Sequence, residues 1–217
     1  TLFEKDYEFS IFQTPIDEVK LMRGINNRVP GSAWLSIYDN KIFMLSAIGI
    51  LAYSELDNIK NKINFIQIKN NIDDYLSLNK IPPLPREFSV KDLTIIKDKI
   101  YISLNFEENI DCWQTIIISS ELNYEEMNFE KFFVPESKCN GPLNDIGNRI
   151  EAHQSGGKIL SFDEEHIIFT TGDYRNRHRA QDLNFDDGKI LKINLNTKKK
   201  QVIAIGTRNS QGILIDK

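Results

Sequence analysis

Apolar and polar residues alternate with a period of two along most of this chain, in runs of roughly four to eight residues broken by Asn, Asp, Lys and Gly clusters. Residues 35–45, 93–103 and 160–170 repeat one pattern: a strand, a short polar turn and a second strand. The copies start roughly 60 residues apart, and a fourth opens at 212–216. Repeats of that length, each with about four short strands, predict β-propeller blades. The outer strands of the third unit are expected at 188–194 and 201–205, joined by a turn at 196–198. Those of the second are expected at 114–119 and near 129–134. In the first unit, 42–53 reads as strand, turn and strand, 63–68 as the third strand, and 72–84 as an excursion. The expected fold is all-β, with blades of four antiparallel strands over 31–85, 88–138 and 156–206 and a fourth blade starting over 207–217. One blade cannot bury both its faces, so about three blades plus one strand read as the N-terminal half of a larger ring. Either more chain or a partner chain would close it.

Composition narrows the function classes. The 217 residues are 41% hydrophobic and 27% charged, an ordinary globular balance. A net charge of -4 leaves no basic excess to hold a phosphate backbone, so no nucleic-acid partner is expected. Lys198, Lys199 and Lys200 read as a solvated hairpin tip. No apolar run approaches the roughly 18 residues a membrane helix needs. The chain opens at Thr1 without a signal-peptide pattern, which fits a removed presequence or a start within a longer sequence. Cys112 and Cys139 are too few for a metal site. They pair in an oxidising compartment or stay as two buried thiols, and both readings remain open.

Candidate chemistry gathers after residue 150. Ala152-His153-Gln154-Ser155-Gly156-Gly157 is followed by Thr170-Thr171-Gly172-Asp173, then by Gly206-Thr207-Arg208-Asn209-Ser210-Gln211-Gly212. An imidazole titrates near neutral pH and suits proton transfer. A carboxylate on one ring nitrogen fixes its tautomer. A guanidinium stays charged and stabilises negative oxygen. Each also has a plain structural reading: a loop His on backbone, a turn Asp after glycine, an Arg between blades. Asp182, Asp186 and Asp187 lack calcium-loop spacing, and Asp187-Gly188 reads as a turn. Arg175, Arg177, His178 and Arg179 form a cationic loop, either solvated or placed to attract an acidic substrate or cofactor carboxylates. His166 falls at a hairpin tip. No nucleophile sits in a recognisable setting, and no phosphate-cradling glycine loop is present.

With these three anchors in order, the chain resembles the soluble glucose/sorbosone dehydrogenase family. The likeness is specific from His153 to Asp216 and rests on blade pattern elsewhere. The resemblance implies a six-bladed propeller that oxidises a sugar with pyrroloquinoline quinone (PQQ) and calcium. It implies His153 as the base that takes the anomeric hydroxyl proton while hydride passes to the quinone, and Asp173 as its orienter. It also implies Arg208, Asn209 and Gln154 as cofactor contacts. Ser210 stands where the family has Pro, Ala152 where an acid often precedes the His, and residues 82–87 hold no match to a sugar-binding Gln. Calcium ligands are expected in blades absent from this chain, so no metal ligand is assigned within it. The implied setting is periplasmic or secreted, with a small sugar as partner. The alternative is a non-catalytic propeller of the same family that binds a glycan or a protein.

Overall fold

The computed structural model describes residues 33–47, 49–58, 63–76 and 90–216. Among them, thirteen strands form three sheets. The first sheet runs β1 (Ala33–Tyr38), β2 (Lys41–Ser46), β3 (Leu51–Glu55), β4 (Ile66–Asn70), all antiparallel, with a short parallel strand β8 (Glu126–Met127) added on β4. The second runs β5 (Val90–Ile96), β6 (Lys99–Asn109), β7 (Cys112–Glu121), β9 (Glu130–Phe133). The third runs β10 (Gly156–Ser161), β11 (His166–Thr171), β12 (Lys189–Asn194), β13 (Lys200–Ile205). The chain is thus all-β, built from consecutive blade-like antiparallel sheets. No helix among the described residues is long and apolar enough to cross a membrane.

Turn chemistry sets the registers. Asp39-Asn40 and Lys97-Asp98 each place two consecutive residues at positive φ, as two-residue hairpins with right-handed strand twist require. In the first unit the third strand is β3, not the expected 63–68. Gly49, at φ +86°, reverses the chain directly after β2, and Ile66–Asn70 becomes the fourth strand. The segment 212–216, expected to open a fourth unit, joins no ladder among the described residues. Of the expected excursion, Ile72 and Leu76 are buried in the core. Residues 77–89, including the 82–87 stretch, lie outside the described residues, as do 31, 32 and 217.

Two hydrophobic layers hold the sheets together. Phe43, Leu45, Leu51 and Ile68 pack on Ile100, Ile102, Ile116 and Ile118. Ile117 and Phe133 pack on Ile159, Ile167, Phe169, Leu191 and Ile193. Three consecutive residues of β7 therefore divide between two cores: Ile116 and Ile118 face one sheet, Ile117 the other. Side chains alternate across a strand, so a middle blade buries both faces. The innermost strands line up, with β5 between β1 and β10. At that seam the buried Asp92 accepts the Lys158 ammonium at 2.9 Å and the Ile159 amide at 2.8 Å.

Cys112 and Cys139 are bonded, which settles the alternative left open by composition. The bond pins the loop after β9 to the β6–β7 hairpin, where Trp113 and Asn140 also exchange backbone hydrogen bonds, both 2.8 Å. With a sequence separation of 27 residues, loop-closure entropy alone gives about 3–4 kcal/mol. Urea melts with and without reductant should differ by about that amount, and a Cys112→Ser, Cys139→Ser double variant should match the reduced protein.

Candidate functional site

In an antiparallel sheet, the start of β10, the end of β11 and the end of β13 fall on one edge. That is why three motifs distant in sequence meet. Gly172 N donates to Ser155 O at 2.8 Å, Tyr174 N to Gln154 O at 3.0 Å, and Asp173 N to Arg208 O at 3.0 Å. Gly156 N donates to the Asn209 side chain at 3.0 Å, and Thr170 Oγ1 to Ser210 O at 2.6 Å. Gly172 has to be glycine, because a Cβ there would fall on the Gln154 carbonyl. His153, Gln154, Asp173, Arg208 and Asn209 are all brought to this edge.

Their partners differ in part from expectation. His153 is 56% exposed at its side chain, and its Nε2 lies 3.1 Å from Glu151 Oε2. The expected His153–Asp173 hydrogen bond is not made. Asp173 is 2% exposed, and its Oδ1 accepts the Arg175 amide at 2.9 Å. The cause is local: Tyr174 and Arg175 sit at φ 48° and 73°, which curls the backbone over its own Asp173. Gln154, expected to touch a cofactor, is buried, with both ends of its amide engaged. Nε2 donates to Glu151, and Oε1 accepts Arg208 Nε at 3.1 Å. Glu151 thus joins His153, Gln154 and, at 3.3 Å, Arg175 NH1. The sequence signal for Glu151 was faint: an acid two residues before the His, where one was sought immediately before it.

The loop from Asp173 to Gly188 is set by buried ion pairs and hydrogen bonds. Arg179 is 3% exposed. It grips Asp145 with Nε and NH2 at 2.7 and 2.6 Å and reaches Asp187 at 3.2 Å. Lys189, fully buried, donates to the carbonyls of Arg179, Ala180 and Asp187 at 2.8, 3.0 and 2.7 Å. Asp186 takes Lys200 at 2.7 Å. Asp186 and Asp187 are therefore held by cationic side chains. No group of three or more His, Cys, Asp or Glu gathers around a metal position among the described residues. His166 is not free at its hairpin tip, since its Nδ1 lies 2.8 Å from Asp163.

A family model for glucose/sorbosone dehydrogenases matches residues 99–217, which cover β6 to β13 and all of the site edge. The chain belongs to the glucose/sorbosone dehydrogenase family. Among solved structures, a glucose dehydrogenase is 15% identical with a TM-score of 0.58, covering 82% of this chain and 52% of its own length. The soluble aldose sugar dehydrogenase of Escherichia coli, in the apo-form, is 14% identical with a TM-score of 0.56, covering 82% and 52%. The PQQ-bound aldose sugar dehydrogenase of Streptomyces coelicolor is 12% identical with a TM-score of 0.53, covering 76% and 45%. At such identities the likeness is one of fold, and it is the propeller fold. The chain spans about half the length of these proteins. Comparison with curated proteins by sequence gave no match.

Asp173 offers a test of how strongly this edge is organised. Burial raises its pKa, while the Arg175 amide and the Arg208 and Arg177 charges act against that rise. A carboxyl whose folded pKa is raised binds more protons when folded. It favours the native state fully below the ordinary value of 3.8, and that contribution is lost as pH rises through the folded value. Asp173→Asn keeps the acceptor for Arg175 and removes the buried charge. Its urea midpoint should exceed that of the native protein at pH 7, with the gap closing as pH falls towards 3.8.

Proposed function

We propose that the site edge is one wall of a PQQ-dependent sugar dehydrogenase centre that oxidises an aldose. The observation that carries this reading is the convergence of His153, Arg208 and Asn209 on one sheet edge, each with unused hydrogen-bonding capacity. Glu151 on Nε2 favours the tautomer protonated there and leaves the lone pair on Nδ1. That nitrogen takes the hydroxyl proton of the substrate as the carbon-bound hydrogen departs with its electron pair. Glu151 stabilises the imidazolium that forms, the office first expected of Asp173. Asp173 instead shapes the turn that presents Arg175.

The donor set fits a quinone with carboxylate substituents. Arg208 commits Nε to Gln154 and retains its terminal N–H groups; Asn209 commits Oδ1 to Gly156 and retains its amide N–H groups. These donors match carbonyl and carboxylate oxygens. PQQ, when bound, supplies the two-electron acceptor. Gln154 serves as the positioning residue for Arg208. The disulfide supports an oxidising compartment, periplasmic or extracellular.

The test is reconstitution of the full-length protein with PQQ and calcium, followed by dye reduction across a panel of aldoses. His153→Ala should lower turnover by about 10²–10⁴-fold with the fold intact. Absence of both quinone binding and dye reduction would sink the reading; unchanged turnover in His153→Ala would remove His153 as the base.

A further inference from the structure

The loop beside His153 carries more positive charge than proton transfer from a neutral sugar needs. Arg175 reaches Glu151 at 3.3 Å, on the same carboxylate that holds His153. One carboxylate therefore sets a guanidinium and the imidazole on either side of itself. Two residues on, Arg177 is exposed; its charge acts on the buried Asp173, but it makes no close ion pair among the described residues. The nearby acids are already engaged: Asp145 by Arg179 and His178, Asp182 by Asn184, and Asp173 is buried beneath the turn. Nor is the loop a loose tether. Tyr174 is buried, with its hydroxyl 2.6 Å from Thr115 Oγ1 and donating to Asn105 Oδ1 at 3.0 Å, so the second sheet anchors the turn. Asn176 is pinned by hydrogen bonds to Asn140 at 2.8 Å and from Asp145 N at 2.8 Å. Arg177 sits between the pinned Asn176 and the buried Arg179.

We propose that the substrate is an acidic sugar, a uronic acid, whose carboxylate is bound by Arg177 with Arg175 beside it while its oxidisable hydroxyl meets His153. This rests on the sugar-oxidation reading above. A carboxylate matches a guanidinium in shape and charge, and an uncommitted guanidinium at a site mouth also draws anions by its field. The same chemistry is carried by the carboxylates of the quinone, so the test has to separate the two sources.

Two readouts on full-length protein do so. The first is kcat/KM for glucuronate and for glucose in dye reduction by PQQ-loaded protein. The second is saturation-transfer NMR with each sugar on the protein without quinone. Glucuronate should be preferred about tenfold at low salt, with the preference shrinking as ionic strength rises. Arg177→Gln should bring the glucuronate-to-glucose ratio to within about threefold of unity. Equal use of both sugars by native protein overturns the proposal while leaving sugar oxidation intact. A ratio unchanged in Arg177→Gln, with weaker quinone binding, also overturns it by assigning the arginine to the cofactor. If no sugar reduces dye but the NMR preference for glucuronate is present and lost in Arg177→Gln, the carboxylate site stands and the redox reading falls.

Discussion

A buried guanidinium has to be neutralised, and the loops around the site are arranged by that requirement. Arg179 can never lose its charge, so it draws Asp145 from one loop and Asp187 from another, and Asn140 braces Asp187 at 3.2 Å. Removing one partner of such a pair strands the other, at a cost of about 3–5 kcal/mol. Three chain segments are thereby locked together: 138–145, the turn at 176–179 and the approach to β12. The disulfide fixes the first of these from its other side through Cys139. Lys189 closes the arrangement by donating to the carbonyls of Arg179, Ala180 and Asp187, the first two of which also accept backbone N–H groups.

With that loop held, a strained turn becomes sustainable. Tyr174 and Arg175 both occupy left-handed backbone, which costs about 1–2 kcal/mol per residue without glycine. The strain is tolerated because the ring of Tyr174 is packed with Trp113, Ile150 and Ala152, and its hydroxyl is bonded into the second sheet. The result is directional: Arg175 meets Glu151, and Glu151 meets His153. Strained non-glycine residues gather at functional sites because only a rigid surround retains them. Here the surround is two sheets, with the second supplying the anchor and the third the edge that carries His153.

The strands were legible because burial imposes period two on them, and β7, with its consecutive isoleucines, shows why both faces matter. In the first sheet the strand-turn-strand reading of 42–53 is β2, the Gly49 turn and β3, so the run at 63–68 supplies the fourth strand, not the third. At the site, antiparallel order decides which strand ends coincide, and it brings the segment after β13 back to the start of β10 and the end of β11. The partners of the site residues were not legible. Glu151 replaced Asp173 beside His153 through a backbone curl with no local sequence signature. Arg179 reads in the sequence only as part of a cationic loop, because a buried cation is recognised by its non-local acceptors. Gln154 sits inside the motif but faces inward, and nothing in the residue itself distinguishes the two directions.

That a site forms at this edge follows from how a blade ends. Along its length each strand satisfies its backbone with its neighbours and buries apolar faces against the next sheet. Where the strands stop, N–H and C=O groups lose their ladder partners and need polar side chains or crossing chain to replace them. The 206–210 segment does this by lying across β10 and β11, with Asn209 on the Gly156 amide, Arg208 O on the Asp173 amide and Ser210 O on the Thr170 hydroxyl. Side chains recruited for that purpose are polar, fixed and half-exposed by construction. A guanidinium that steadies a strand end through Nε still has two terminal nitrogens for a ligand, and a glutamate that ties a loop still has a face for an imidazole. Chemistry at this edge therefore needs few groups beyond those that end the sheet.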